Sequence, residues 1–397
     1  MGELAIFGGE PVLKKRIGYG RQYIDDADIQ AVVGVLKSDY LTCGPAIERA
    51  EAKLCEITGA KHAVLIANGT AALHAMMFAA GVAEGDEVIT TPITFAASAN
   101  CALYCGAKPV FADINPATYN IDPDSIEQCV TDRTKAVVAV DFTGQAVEAD
   151  RIRDICQRHH LYFIEDAAHS LGTKFNGKPV GSLADMTEFS FHPVKTCTAG
   201  EGGAVTTDDD ELYKKLLLFR THGITRNPEW MDKESEGGWY YQQIDLGYNY
   251  RITDMQAALL SSQLEKLGMF AARRKELVRR YDEAFSEMPE ITVQKEIPQS
   301  DTVRHLYIIQ LNTEMLRCGR REVFEALQAE GVGVNVHYIP VYSFPYYRKL
   351  GYKMGLCPNA ERLYERMISI PLFYSMTDQD QENVISAVKK VIEYYRR

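Results

Sequence analysis

None of the nine cysteines in this 397-residue chain stands in a CxxC spacing, and they are odd in number and scattered. Cys101 and Cys105, the nearest pair, have no second pair and no neighbouring histidines to complete a tetrahedral set. A structural zinc site is therefore excluded, and free thiols in a reducing compartment are expected. No metal ion is expected. Long apolar runs are missing too, and nothing approaches the ~20 residues that span a bilayer. The opening MGELAIFGGEPVLKK lacks the apolar core of a secretory signal and the Ser or Thr that myristoylation needs at position six, so a cytoplasmic location is expected. Basic residues are in deficit, 43 against 54 acidic ones, for a net charge of −11. That balance excludes a nucleic-acid surface, which needs a clustered positive field, and leaves room for a small anionic ligand. The GxxxxGK[ST] and GxGxxG fingerprints are both missing, so neither a nucleoside-triphosphatase nor a plain dinucleotide-binding enzyme has its signature. There is no internal repeat and no low-complexity segment.

What is present describes a globular enzyme, 46% hydrophobic and 24% charged, long enough for two domains. Helical spacing of apolar residues runs from Asp25 to Leu36 and over 46–58. Strand-like runs follow at 63–66, 87–90, 109–112, 136–140 and 161–164, most separated by helical stretches such as Ala149 to His159. Short, nearly continuous apolar strands alternating with helices predict an α/β fold with a mostly parallel central sheet covered on both faces. After Ile252 a long helix is expected through the 260s into Arg273-Arg274-Lys275-Glu276. The pattern then changes to strand (303–311), helix (320–330), strand (332–337), a Pro/Tyr-rich loop and terminal helices. This predicts a large domain over 1–270, including an N-terminal segment 1–24, and a smaller α+β domain over 271–397.

Three constellations carry chemistry. Lys195 lies in Ser190-Phe191-His192-Pro193-Val194-Lys195, followed by Gly200-Glu201-Gly202-Gly203. Desolvation in such a setting disfavours an ammonium, and an unprotonated amine attacks carbonyl carbon. An isolated lysine would equally pack its stem on the surface. Asn68-Gly69-Thr70-Ala71-Ala72-Leu73 follows a strand and opens an alanine-rich helix; its free amides suit a phosphate, although Asn68 and Thr70 serve equally as ordinary caps. Glu165-Asp166-Ala167-Ala168-His169 follows the strand at 161–164, and residues at a strand's carboxyl end face the ligand crevice of an α/β sheet. An aspartate there attracts a protonated ring nitrogen by roughly 4 kcal/mol at about 4 Å and an effective dielectric near 20, or about three pKa units. A loop-capping role for Asp166 and a core-packing role for His169 remain open on these residues alone.

NGTAAL, EDAAHS, FSFHPVK, GEGGAVTT and GYNYRITDMQAAL, in this order, resemble the DegT/StrS-type sugar-nucleotide aminotransferases. The opening YGRQYIDDADIQAVVGVLKSDYLTCGP, with FRTHGITR and VHYIPVY, is similar to the pseudaminic-acid-pathway 4-aminotransferase (PseC-like) subgroup. The resemblance implies the aspartate-aminotransferase fold (fold type I) and pyridoxal 5'-phosphate as cofactor. It implies that Lys195 carries the cofactor as an imine and moves the proton, with Asp166 at the pyridine nitrogen and His169 at the phenolic oxygen. Gly69, Thr70, Ala71 and Ser190 would hold the phosphate and Phe95 would stack on the ring. Asn249 would reach the neighbouring subunit's cofactor, making a homodimer with shared active sites. Tyr19, the segment Asp39, Tyr40, Leu41 and Thr42, and His337, Tyr338, Ile339 and Pro340 would line the sugar-nucleotide pocket.

The implied reaction transfers an amino group from an amino-acid donor, L-glutamate by resemblance, to C4 of a UDP-linked 4-keto-6-deoxy-N-acetylhexosamine. Relatives with histidine in place of the lysine dehydrate instead; Lys195 disfavours that branch. The alternatives are a dTDP-ketosugar 3- or 4-aminotransferase and, from another class, a non-catalytic sugar-nucleotide sensor. Arg220, His222, Arg226 and Arg251 are candidates for the pyrophosphate, each equally an ordinary surface charge.

Overall fold

The structure is a computed structural model that describes residues 3–397. Its large domain is built on seven strands: β1 (His62–Ile66), β2 (Glu87–Thr90), β3 (Lys108–Phe111), β4 (Thr134–Val140), β5 (Tyr162–Asp166), β6 (Met186–Ser190) and β7 (Gly203–Thr207). They lie in the order β1-β7-β6-β5-β4-β2-β3. β2, β3, β4, β5 and β6 are parallel, and β7 runs antiparallel to both β1 and β6.

The alternation along each strand assigns the two faces. Val137 and Ala139 of β4 join one core with the helices Pro45–Thr58, Ala149–His159 and Asp254–Glu265. Ala136 and Val138 join the other with Gly69–Ala79, Ala97–Tyr104 and Asp210–Arg220. A strand buried on both faces reads as a continuous apolar run, which is how β4 announced itself. This is the expected α/β, fold type I architecture. Two strands had no such run. β6 (Met-Thr-Glu-Phe-Ser) is interrupted by polar Thr187 and charged Glu188, and β7 (Gly-Ala-Val-Thr-Thr) ends in two threonines, yet all of β7 and all of β6 except Ser190 are buried.

The long helix expected after Ile252 is two helices, Asp254–Glu265 and Leu267–Phe285, which meet at Lys266. The first starts at a capping box in which Thr253 and Gln256 satisfy each other's backbone amides. The second carries the chain between cores: Leu267 and Phe270 pack in the large domain, Leu277, Tyr281 and Phe285 in the small one. A boundary at 270/271 thus falls inside a continuous helix. The segment preceding residue 25, read with the large domain, instead lays Leu4 and Leu13 into the small-domain core. The buried Glu330 carboxylate fixes it there by accepting from Ala5 N and Val12 N, each at 2.9 Å.

The small domain has a three-stranded antiparallel sheet, β8 (Ile291–Val293), β9 (Tyr307–Leu311) and β10 (Met367–Ile370), in that order. The strand expected at 303–311 begins only at Tyr307. The strand expected at 332–337 is not formed: the segment makes single bridges, Val332 with Ile17 and Asn335 with Ser369. It changes partner after three residues and never builds a ladder, despite its β-branched alternation. Among the described residues, no helix is long and apolar enough to cross a membrane.

Candidate active site

The carboxyl ends of β5 and β6 and the amino end of the helix Gly69–Ala79 converge on one point. Asp166 is the last residue of β5, which runs two residues further than expected, and is buried. Its Oδ2 accepts from Ser98 Oγ at 2.6 Å and its Oδ1 from Ala168 N at 3.2 Å. Ser98 is itself held by Thr94 at 2.7 Å. Lys195 follows β6 on a tight turn closed by its amide donating to His192 O at 3.0 Å. Burial pushes its ammonium down to about 8, against the opposing pull of Glu188 and Asp166.

At the start of the helix, Asn68 Oδ1 accepts from Ala71 N at 2.9 Å, so Asn68 does cap the helix. The first-turn amides have no intrahelical partner and point out of the helix end. Close approach is enforced by glycine: a Cβ on Gly69 would lie 2.2 Å from Glu188 Oε1 and 3.3 Å from Ser190 Cβ. A Cβ on Gly203 would lie 2.5 Å from the carbonyl of Asn68. Gly69, Thr70, Ala71 and Ser190 therefore share one corner.

His169 is buried, and its Nε2 lies 3.3 Å from Tyr338 Oη while its Nδ1 has no partner among the described residues. Burial, reinforced by Lys195 and His337, holds its basicity well below that of an ordinary histidine, so the ring is neutral. Tyr338 reaches in from the small domain, with its ring 6.3 Å from Phe95 and 6.2 Å from His169. Phe95 is 63% exposed, which is compatible with a ring stacked on a ligand and not with a place in the core. Tyr19 lies with its ring 5.0 Å from His337. His337 has both nitrogens engaged: Nδ1 at 2.9 Å from Ser369 Oγ and Nε2 at 3.2 Å from Asn335 Nδ2. Burial and Lys195 push it down to about 4. It offers a ring face, not a hydrogen bond, to a ligand. Ile339 is exposed, and Val341 N donates to Pro92 O at 3.0 Å, closing the segment after Pro340 onto the loop that carries Phe95.

Other expected residues stand elsewhere in the chain's own fold. Asp39, Tyr40, Leu41 and Thr42 are all exposed, Thr42 bridging Thr253 and Leu41 O accepting from Asp254 N. Asn249 is exposed and bridges Thr221; no side-chain hydrogen bond joins it to the Lys195 group among the described residues. Arg220 is already committed to Glu51 at 2.5 Å and Leu65 O at 2.8 Å, and Arg226 lies over Tyr241. Surface hollows lined by Arg151 and Arg158, or by Arg153 and Asp185, contain none of the site residues.

Three residues escaped the sequence reading. Ser98 sits in an alanine-rich stretch with nothing to distinguish it. His305, whose ring is 4.6 Å from that of His169, was absorbed into an expected strand. Glu188, buried beside Asp166, lies in a strand whose Thr187 and Glu188 made it read as a surface segment.

The donor set fits pyridoxal 5'-phosphate. The depressed Lys195 amine suits its aldehyde, the buried Asp166 carboxylate its ring nitrogen, and the helix end with Ser190 its phosphate; the orphaned His169 Nδ1 leaves a polar atom for the ligand. Comparison with known proteins agrees. The model of the DegT/DnrJ/EryC1/StrS aminotransferase family matches residues 22–389. A UDP-4-amino-4,6-dideoxy-N-acetyl-beta-L-altrosamine transaminase of Campylobacter jejuni subsp. jejuni is 40% identical over 96% of this chain and 99% of its own. Helicobacter pylori PseC, an aminotransferase involved in pseudaminic acid biosynthesis, superposes with a TM-score of 0.89 at 34% identity, covering 96% of this chain and 100% of that one. The PLP-form of the sugar aminotransferase Spr1654 from Streptococcus pneumoniae superposes at 0.88 with 31% identity, covering 96% and 99%.

Proposed function

This chain belongs to the DegT/DnrJ/EryC1/StrS aminotransferase family and its cofactor is pyridoxal 5'-phosphate; from that premise we propose the transfer of an amino group from L-glutamate to C4 of a UDP-linked 4-keto-6-deoxy-N-acetylhexosamine. The product is a UDP-4-amino-4,6-dideoxy-N-acetyl-L-altrosamine-type sugar, and the enzyme acts as a cytoplasmic homodimer. The observation that carries the transaminase chemistry is the Lys195 amine, held near about 8 by burial within reach of two carboxyls. The reading of a 4-keto UDP-sugar is supported by the activities of similar proteins and by the Tyr19, His337 and Tyr338 aromatic cluster.

Bound, the cofactor supplies an electron sink for the pair left when a substrate C–H bond breaks. The residues do the rest. Lys195, with a basicity near the working pH, takes the proton from the substrate carbon and returns it. Asp166, fixed by Ser98 and Ala168, would sit against the ring nitrogen and favour its protonated form. Neutral His169, tied to Tyr338, holds the phenolic oxygen in place. Gly69, Thr70, Ala71 and Ser190 hold the phosphate and Phe95 covers the ring. Tyr19, Ile339 and Pro340, with Asp39, Tyr40, Leu41 and Thr42, contribute to the sugar side, and Asn249 acts across the dimer.

Incubation with glutamate and a panel of keto-sugar nucleotides, with products solved by NMR, tests the assignment. A 4-amino UDP-sugar is expected; turnover confined to a dTDP-linked or 3-keto sugar would replace it with the alternative specificity.

A further inference from the structure

Glu188 sits in the middle of β6, 1% exposed, and neither carboxyl oxygen has a hydrogen-bond partner among the described residues. It stands in register with Asp166 on β5 and with Val205 on β7. Above it lies Gly69, whose missing Cβ would fall 2.2 Å from Glu188 Oε1. Among the described residues, the ionisable groups acting on it are Asp166 on β5 and Lys195 on the loop after β6.

Two carboxyls placed side by side in a desolvated site do not both ionise, and the donors around them decide which keeps the proton. Asp166 accepts from Ser98 Oγ and Ala168 N, and both contacts favour its charged form. Glu188 accepts from nothing, and an ionised carboxylate without a donor is strongly disfavoured in a buried position. Burial and the neighbouring Asp166 accordingly raise the Glu188 carboxyl well above the ordinary range.

We propose that Glu188 is a positioning residue for the cofactor nitrogen, a neutral carboxyl that donates its proton in a hydrogen bond to Asp166 and keeps the charge of the pair on Asp166. The inference rests on the reading of Asp166 as the partner of the ring nitrogen. A third donor on Asp166 makes that carboxylate a weaker base, so a proton between it and the ring nitrogen stays on nitrogen. Glu188 acts through Asp166 and touches neither substrate nor cofactor.

Glu188→Gln preserves a neutral donor of the same shape, and Glu188→Leu removes it. In the unfolded chain a glutamate titrates near about 4.3, whereas folded Glu188 holds its proton to higher pH. The folded state therefore binds more protons in that window, and wild-type protein loses stability relative to Glu188→Gln as pH rises. In full-length cofactor-free protein the difference in unfolding temperature between E188Q and wild type should widen from about pH 5 to about pH 8; a constant difference overturns the proposal. In cofactor-loaded protein the pH midpoint of the cofactor's visible band should stay at the wild-type value in E188Q and move by about one unit, a tenfold change, in E188L. If E188Q shifts it as far as E188L does, Glu188 is an ionised group and the proposal fails. A cofactor found attached away from Lys195 would defeat the reading of the site and leave the cofactor-free titration standing, so the two failures are separable.

Discussion

At Lys195 two effects compete, and their balance sets the proton that the reaction moves. Burial disfavours the ammonium; Glu188 and Asp166 favour it; burial prevails and leaves the amine near about 8. In the unfolded chain lysine titrates near about 10.4, so between these values the unfolded state binds more protons and stability rises with pH. Cofactor-free protein should therefore gain on the order of 2–3 kcal/mol from this group between about pH 8 and pH 10.5. Lys195→Met should flatten that rise in urea unfolding followed at successive pH values. The motif residues around Lys195, Asp166 and Gly69 were legible because each is local: a turn after a strand, a helix start, a strand's carboxyl end. Glu188, Ser98 and His305 were not, because their meaning lies in which distant chain segment they face. His337 shows the converse, a residue expected at the sugar pocket whose two nitrogens are already spent on Ser369 and Asn335.

Among the elements, the junction of β6, β7 and the helix Gly69–Ala79 sets the site's dimensions. The helix presses so closely on β7 that Gly203 leaves no room for a methyl group beside the Asn68 carbonyl. Because the obstacle is backbone, Gly203→Ala should shift the helix start, costing about 1–3 kcal/mol of stability and weakening retention of cofactor at least about tenfold. Denaturant unfolding and equilibrium dialysis measure the two effects. Strands with unbroken apolar runs, such as β4, could be read directly from sequence. β6 could not, since Thr187 and Glu188 mimic the polar alternation of a surface segment while both lie buried. The opposite error arose at 332–337, where β-branched residues suggested a strand but Gly333 N bonds to Ile17 O and Asn335 to Ser369, two different neighbours.

Across the whole molecule, the helix Leu267–Phe285 belongs to both cores, and Tyr338 of the small domain bonds to His169 of the large one. The site is thus assembled from both lobes, joined by a helix that runs through residue 270. Asn249 is exposed in its own chain, and the proposed role for it lies in a neighbouring subunit's site. Inactive Lys195→Ala protomers refolded together with inactive Asn249→Ala protomers should then recover activity, since one site of each hybrid is intact. Steady-state assay of the mixture reads this directly, and recovery absent in verified hybrid dimers would place each site within a single chain.

The most direct test of the account is borohydride reduction of the cofactor-loaded protein followed by peptide mass spectrometry. One pyridoxyl adduct on Lys195 is predicted; an adduct on another residue, or none in fully loaded protein, would contradict it.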